Sequence, residues 1–145
     1  MPHPQLDNLA RSGDLKAEPG DASEIDGLVA SASRRLRDAE SAALSLDSRF
    51  DLLYNASHAF SLAALRWHGY RPAKNNRYIV FQALAHTLAL TAGEWRVLSE
   101  AHRKRNTIEY EGLWEVDEQL VNAILRVTRL VAERVNHLGP VSTER

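Results

Sequence analysis

Apolar residues along this chain recur at three- and four-residue intervals over long stretches, and strand-like alternation is almost absent. That period predicts an all-α protein. Ile25, Leu28, Val29, Ala32, Leu36, Ala39 and Ala43 form one stripe, starting at Ser23 and running to about residue 44. Ser23 with Asp26 makes a weak capping box at its start. A second helix is predicted from a cap at Asp47, with Leu53, Ala56, Phe60, Ala63, Ala64 and Trp67 on one face. Leu52, Ala59 and Leu62 widen that face, so this helix is expected to be the most buried.

The segment HGYRPAKNNR, residues 68–77, interrupts the pattern with Gly69, Pro72 and an Asn pair. Tyr78, Phe81, Ala85 and Leu88 then predict a third helix. Thr91 caps a fourth, which holds Trp95, Leu98, Ala101 and Ile108 and is stopped by Gly112. Asp117 opens the last, with Leu120, Ile124, Val127, Val131 and Leu138 in register before Gly139-Pro140. The expectation is an up-and-down helical bundle of four to five helices over residues 21–139. Residues 1–20 read as a lead-in with one short helix near Gln5–Arg11, and residues 140–145 as a flexible tail.

Composition narrows this little. The chain has 145 residues, 44% of them hydrophobic and 26% charged, which suits one globular domain with a real core. A net charge of −1 confines any nucleic-acid contact to a local patch. Without cysteine there are no disulfides, thiolate chemistry or Cys-type zinc sites. No apolar run approaches the ~20 residues that span a bilayer, and the polar N-terminus lacks a signal-peptide core. No membrane partner and a cytoplasmic location are the expectations.

The densest chemistry is RKRNTIEYEG, residues 103–112. At about 100° per residue, Arg105 falls between Leu98 and Ala101 on the helical wheel, inside the apolar stripe. A guanidinium placed there needs a partner, because desolvating it alone is costly. One reading is an ion pair with Glu109 at i+4. The other is an anion or phosphate site facing a groove or a second subunit.

The remaining candidates are weaker. The six histidines include neither Glu-x-x-His pairs nor HExxH, so no metal is expected. His58 lies with Tyr54 and Ser61 away from the main stripe and reads as a solvated or edge histidine. His68 falls in a loop, His86 on the surface, and His3 in a flexible end. No Gly-rich phosphate loop or Ser nucleophile elbow is present, and no cofactor is expected. Trp67 reads as packing, while Trp95 and Trp114 are further candidates for stacking on bases. Residues 82–98 also resemble a helix-turn-helix, with Ala89 at the usual turn glycine. A DNA-binding protein using residues 82–106 would present Arg96, Ser99, Glu100 and Arg103.

YNASHAFSLAALRWHGYR in the second helix, FQALAHTL in the third and AHRKRNTIEYEG at the end of the fourth together resemble the HEPN family (higher eukaryotes and prokaryotes nucleotide-binding domain). The resemblance covers about residues 21–139. It implies a homodimer whose two motifs, each an arginine, a polar residue, a spacer and a histidine, line one cleft. Active members are metal-independent endoribonucleases. By position, Arg105 matches the arginine and Asn106 the polar residue, while Tyr110 stands where the family has histidine, giving Arg105-Asn106-x3-Tyr110. Phosphate binding by the arginine carries over. Proton transfer does not, because tyrosine, with a pKa of about 10, is a poor base at neutral pH. His102 lies one turn before Arg105 and Glu109 one turn beyond, so a His102–Arg105–Asn106–Glu109 cluster is the candidate replacement. The family also includes toxins paired with nucleotidyltransferase antitoxins, which makes Tyr110 a candidate acceptor of a nucleotide adduct. The expected ligand is RNA or a nucleotide-type anion, with an inactive or weakly active enzyme. A non-catalytic interaction module is a third reading.

Overall fold

The computed structural model describes residues 3–74, 76–111 and 116–141, with the backbone alone for 109–111. The chain is an all-α bundle, as its period predicts. Its elements are α1 (Pro4–Arg11), β1 (Leu15–Ala17), α2 (Ala22–Ala39), α3 (Leu46–Trp67), β2 (Tyr70–Pro72), α4 (Arg77–Gln82), α5 (Leu84–Thr87), α6 (Ala92–Glu111) and α7 (Glu118–Asn136). The expected third helix is split, because α4 ends at Gln82 and α5 is a single turn.

Caps set the helix starts. Asp117 accepts a hydrogen bond from Leu120 N at 2.7 Å, as its position suggests. The first two long helices start differently from expectation. Asp21, not Ser23, caps α2 by accepting from Glu24 N, and Ser45, not Asp47, caps α3 by accepting from Ser48 N. Each true cap lies two residues upstream, because the apolar stripe begins after the first unpaired N–H groups rather than at them.

α3 is the hub, packed against α2, α7, α4, α5 and α6. Phe50, Leu53, Ala56, Phe60, Ala63 and Ala64 are completely buried along it. Burial extends to the side where Tyr54, Ser57 and Ser61 lie, so that edge is covered by protein rather than by water. Ser57 and Ser61 satisfy their hydroxyls on the Tyr54 and Ser57 carbonyls of their own helix.

The N-terminal segment is packed too. β1 and β2 form an antiparallel pair with Leu15 opposite Pro72 and Ala17 opposite Tyr70. Three-residue strands are too short for alternation to announce them. Leu6 and Leu15 join Leu65, Tyr70, Ile79, Val80 and Ala83 in a second apolar cluster. Arg66, buried at the end of α3, holds the connection. It pairs with Glu24 at 2.8 Å and Glu18 at 3.2 Å, and donates to the Glu18, Pro19 and Tyr70 carbonyls. Gly20 passes so close that a Cβ there would meet the Arg66 carbonyl oxygen at 2.2 Å.

Among the described residues, no helix is long and apolar enough to cross a membrane.

Candidate functional site

The phase of α6 is fixed at its first turn. Thr91 Oγ1 accepts from Glu94 N at 3.2 Å, and Glu94 Oε1 accepts from Thr91 N at 2.9 Å. This reciprocal box leaves no slack in where later residues point. Leu98 and Ala101 are wholly buried as a result, and Arg105 reaches from the same stripe over the edge of the core to α3. Its Nη1 lies 3.1 Å from Asp51 Oδ1, and its Cζ lies 5.2 Å from the centre of the Tyr54 ring. With 27% of its side chain exposed, Arg105 is open to solvent on one side. The other half of the expected pair, Glu109, lies outside the described side chains, as does Tyr110. Trp114 and the Gly112 stop lie outside the described residues.

Tyr54, only 2% exposed, is the centre of the arrangement. A second guanidinium, that of Arg77 at the start of α4, lies 5.5 Å from the same ring. The electron-rich face of an aromatic ring stabilises nearby cations, which lets two arginines approach one another's neighbourhood. Phe50 stacks on Tyr54 from the core side and Phe81 tilts against it, which locks the ring.

Two imidazoles complete the cluster. Tyr54 Oη lies 2.9 Å from His102 Nδ1. Asn106 Nδ2 lies 3.4 Å from His102 Nε2, a long and weak contact. With the amide assigned in this orientation, Nε2 is the acceptor, so the proton sits on Nδ1 and Nδ1–H donates to Tyr54 Oη. The Nε2 lone pair is thus turned to the exposed Asn106 amide, from which it accepts only weakly. Burial lowers the His102 pKa, and the positive charge of Arg77 lowers it further.

His58 stands on α3, one turn beyond Tyr54, with its ring edge-on to Phe81. It is not the solvated edge histidine that its distance from the apolar stripe suggested. Burial, followed by the charges of Arg77 and His102, pushes its pKa down to about 4. Both imidazoles are therefore neutral at pH 7.

The expected composite of His102, Arg105 and Asn106 is brought together, with Glu109 left undescribed. His58, Arg77, Tyr54 and Asp51 were not foreseen as its neighbours. One signal for two of them was available: Tyr54 and His58 share a face of α3 at i and i+4. Arg77 joins only because α4 packs against α6.

The other histidines sit apart. His3 caps α1, accepting from Leu6 N through Nδ1, and its Nε2–H donates to the His86 carbonyl at 3.2 Å. It is therefore anchored rather than part of a flexible end. His68 forms the C-cap of α3 and donates to the Thr87 carbonyl. His86 is half-buried beside His3, not a surface side chain. Trp67 donates its indole N–H to the Gly139 carbonyl at 3.0 Å, fastening the end of α3 to the chain beyond α7. In the segment read as a helix-turn-helix, α5 is one turn and Ala89 takes the left-handed conformation, with φ +55. On α6, Arg103 is engaged with Glu100 on the exposed face.

Comparison of this chain with models of known protein families, with curated proteins and with solved structures finds no match.

Proposed function

We propose that this chain binds RNA or a nucleotide-type anion, with a phosphate seated between Arg77 and Arg105 and Asn106 at the rim. One observation carries this reading: two guanidiniums from different helices converge on one buried tyrosine beside a neutral imidazole. Arg105 is already paired with Asp51, but that carboxylate is 54% exposed. Asp51 is the solvent-facing half of the pair, so its carboxylate can turn into water when a phosphate takes its place. A phosphate also takes several charge-assisted hydrogen bonds at once, where a carboxylate takes fewer.

The reading is binding rather than cutting at neutral pH. Metal-independent cleavage of an RNA strand needs a base for the attacking hydroxyl and a protonated acid for the leaving oxygen. His102 and His58 are both held neutral, which provides bases without an acid. Tyr110 in place of the family's histidine agrees with this. The homodimer implied by the resemblance would set two such clusters in one cleft, and sedimentation of the purified chain tests it.

The test of binding is fluorescence anisotropy with a short, labelled single-stranded oligoribonucleotide. Arg105→Gln and Arg77→Gln should each weaken binding about tenfold, the scale of one or two charge-assisted hydrogen bonds. Arg103→Gln, on the outer face with Glu100, should leave it nearly unchanged. Equal losses in all three variants would indicate diffuse charge attraction and refute the site.

A further inference from the structure

Beside the cluster, Tyr78 is 43% exposed, and among the described residues only Leu44 is another large hydrophobic side chain left exposed. It stands next to Arg77 in α4, so consecutive residues present a guanidinium and a ring about 100° apart. Trp95 of α6 meets Tyr78 edge-on, with centroids 6.3 Å apart and planes at 77°. The two rings form a corner in which Trp95 is the wall and Tyr78 the open face. Arg96 covers Trp95, its Cζ 5.8 Å from the indole centre, and adds positive charge to the corner. Trp95 itself packs partly on the core, which makes the wall rigid.

The corner and the cluster lie on one face of α6. Trp95 and His102 are seven residues apart, nearly in phase and separated by about 10 Å along the axis. A flat heteroaromatic ring on Tyr78 would therefore carry its attached phosphate towards Arg77 and the Tyr54 cluster. Aromatic faces beside guanidiniums suit a base tethered to phosphate, since stacking takes the ring and the cations take the charge.

We propose that Tyr78, backed by Trp95, is a base-stacking subsite for a nucleotide whose phosphate occupies the Arg77–Arg105 seat. This rests on the anion reading above, which makes no use of Tyr78. The ligand class is a nucleobase joined to phosphate, whether free or within a single strand.

The test compares three probes on the full chain: a mononucleotide, a single-stranded hexaribonucleotide, and an abasic hexamer with the same number of phosphates. The base-bearing hexamer should bind about tenfold more tightly than the abasic one, the scale of one stacked base. Tyr78→Ala should reduce the base-bearing hexamer to the abasic level and leave the abasic affinity unchanged, while Tyr78→Phe retains the difference. Tyr78 is exposed, and an unchanged melting temperature confirms that the alanine variant folds. A mononucleotide that binds as tightly as the hexamer, and loses affinity in Tyr78→Ala, assigns the subsite to free nucleotides; binding of the hexamer alone assigns it to strands. Equal affinity for base-bearing and abasic hexamers would overturn the stacking subsite and leave the anion site standing. Binding of none of the three would overturn both.

Discussion

The Tyr54 hydroxyl lies 2.9 Å from Nδ1 of His102, joining α3 to α6 across 48 residues of sequence. This bond does two things. It fixes the imidazole so that Nε2 faces the exposed Asn106 amide, and it anchors the buried ring whose centre lies 5.5 Å from Arg77 Cζ and 5.2 Å from Arg105 Cζ. Tyr54 is thus the mount for the cluster rather than a contact for the ligand.

Two substitutions separate these roles. Tyr54→Phe keeps the ring and removes the hydroxyl, so it should cost about 1 kcal/mol of stability and leave oligonucleotide affinity within about twofold. Tyr54→Leu also removes the aromatic face, and should weaken binding further as the guanidiniums lose their seat. Urea denaturation and anisotropy on the same samples check both.

Acid should destabilise the fold through its histidines. The folded pKa of His58 is about 4 against an ordinary 6.5, so the folded chain binds fewer protons than the unfolded one between these values. Its contribution is therefore fully present above pH 6.5 and is lost as pH falls towards 4. The size is about 3 kcal/mol. His68, His86 and His102 are lowered in the same direction, chiefly by burial, and steepen the same limb. His58→Gln should flatten it, as read from urea denaturation at pH 7.5, 5.5 and 4.5.

Arg66 should prove the tie between the N-terminal segment and the bundle. Arg66→Met removes the donor of three carbonyls and the partner of Glu24, while Glu18 keeps Arg71 at 3.1 Å. The loss is about 3 kcal/mol and comes mainly from the carbonyls. Hydrogen exchange should rise first in residues 4–17. Gly20→Ala should produce a similar, smaller effect, because the added methyl collides with the Arg66 carbonyl.

The parts legible in the sequence were those governed by local rules. Periodicity located the long helices and put Arg105 in the apolar stripe, and capping chemistry marked Thr91 and Asp117. The N-terminal strand pair was not legible, since its partners are over fifty residues apart and each strand is three residues long. The cluster was half legible. His102, Arg105 and Asn106 share one helix, so spacing alone groups them. Arg77 and His58 join them only through packing of α4 and α3 around Phe81 and Tyr54, and no local pattern encodes that.

The most direct test of an anion site at this cluster is the titration of His102 by NMR, with its ring signal assigned by comparison with His102→Gln. A phosphate on Arg77 and Arg105 would offset the positive charge that lowers the His102 pKa, so a saturating single-stranded oligoribonucleotide should raise that pKa measurably. The rise should vanish in the Arg77→Gln, Arg105→Gln double variant. An oligonucleotide that binds and leaves the His102 titration unchanged would place the ligand elsewhere and contradict the account.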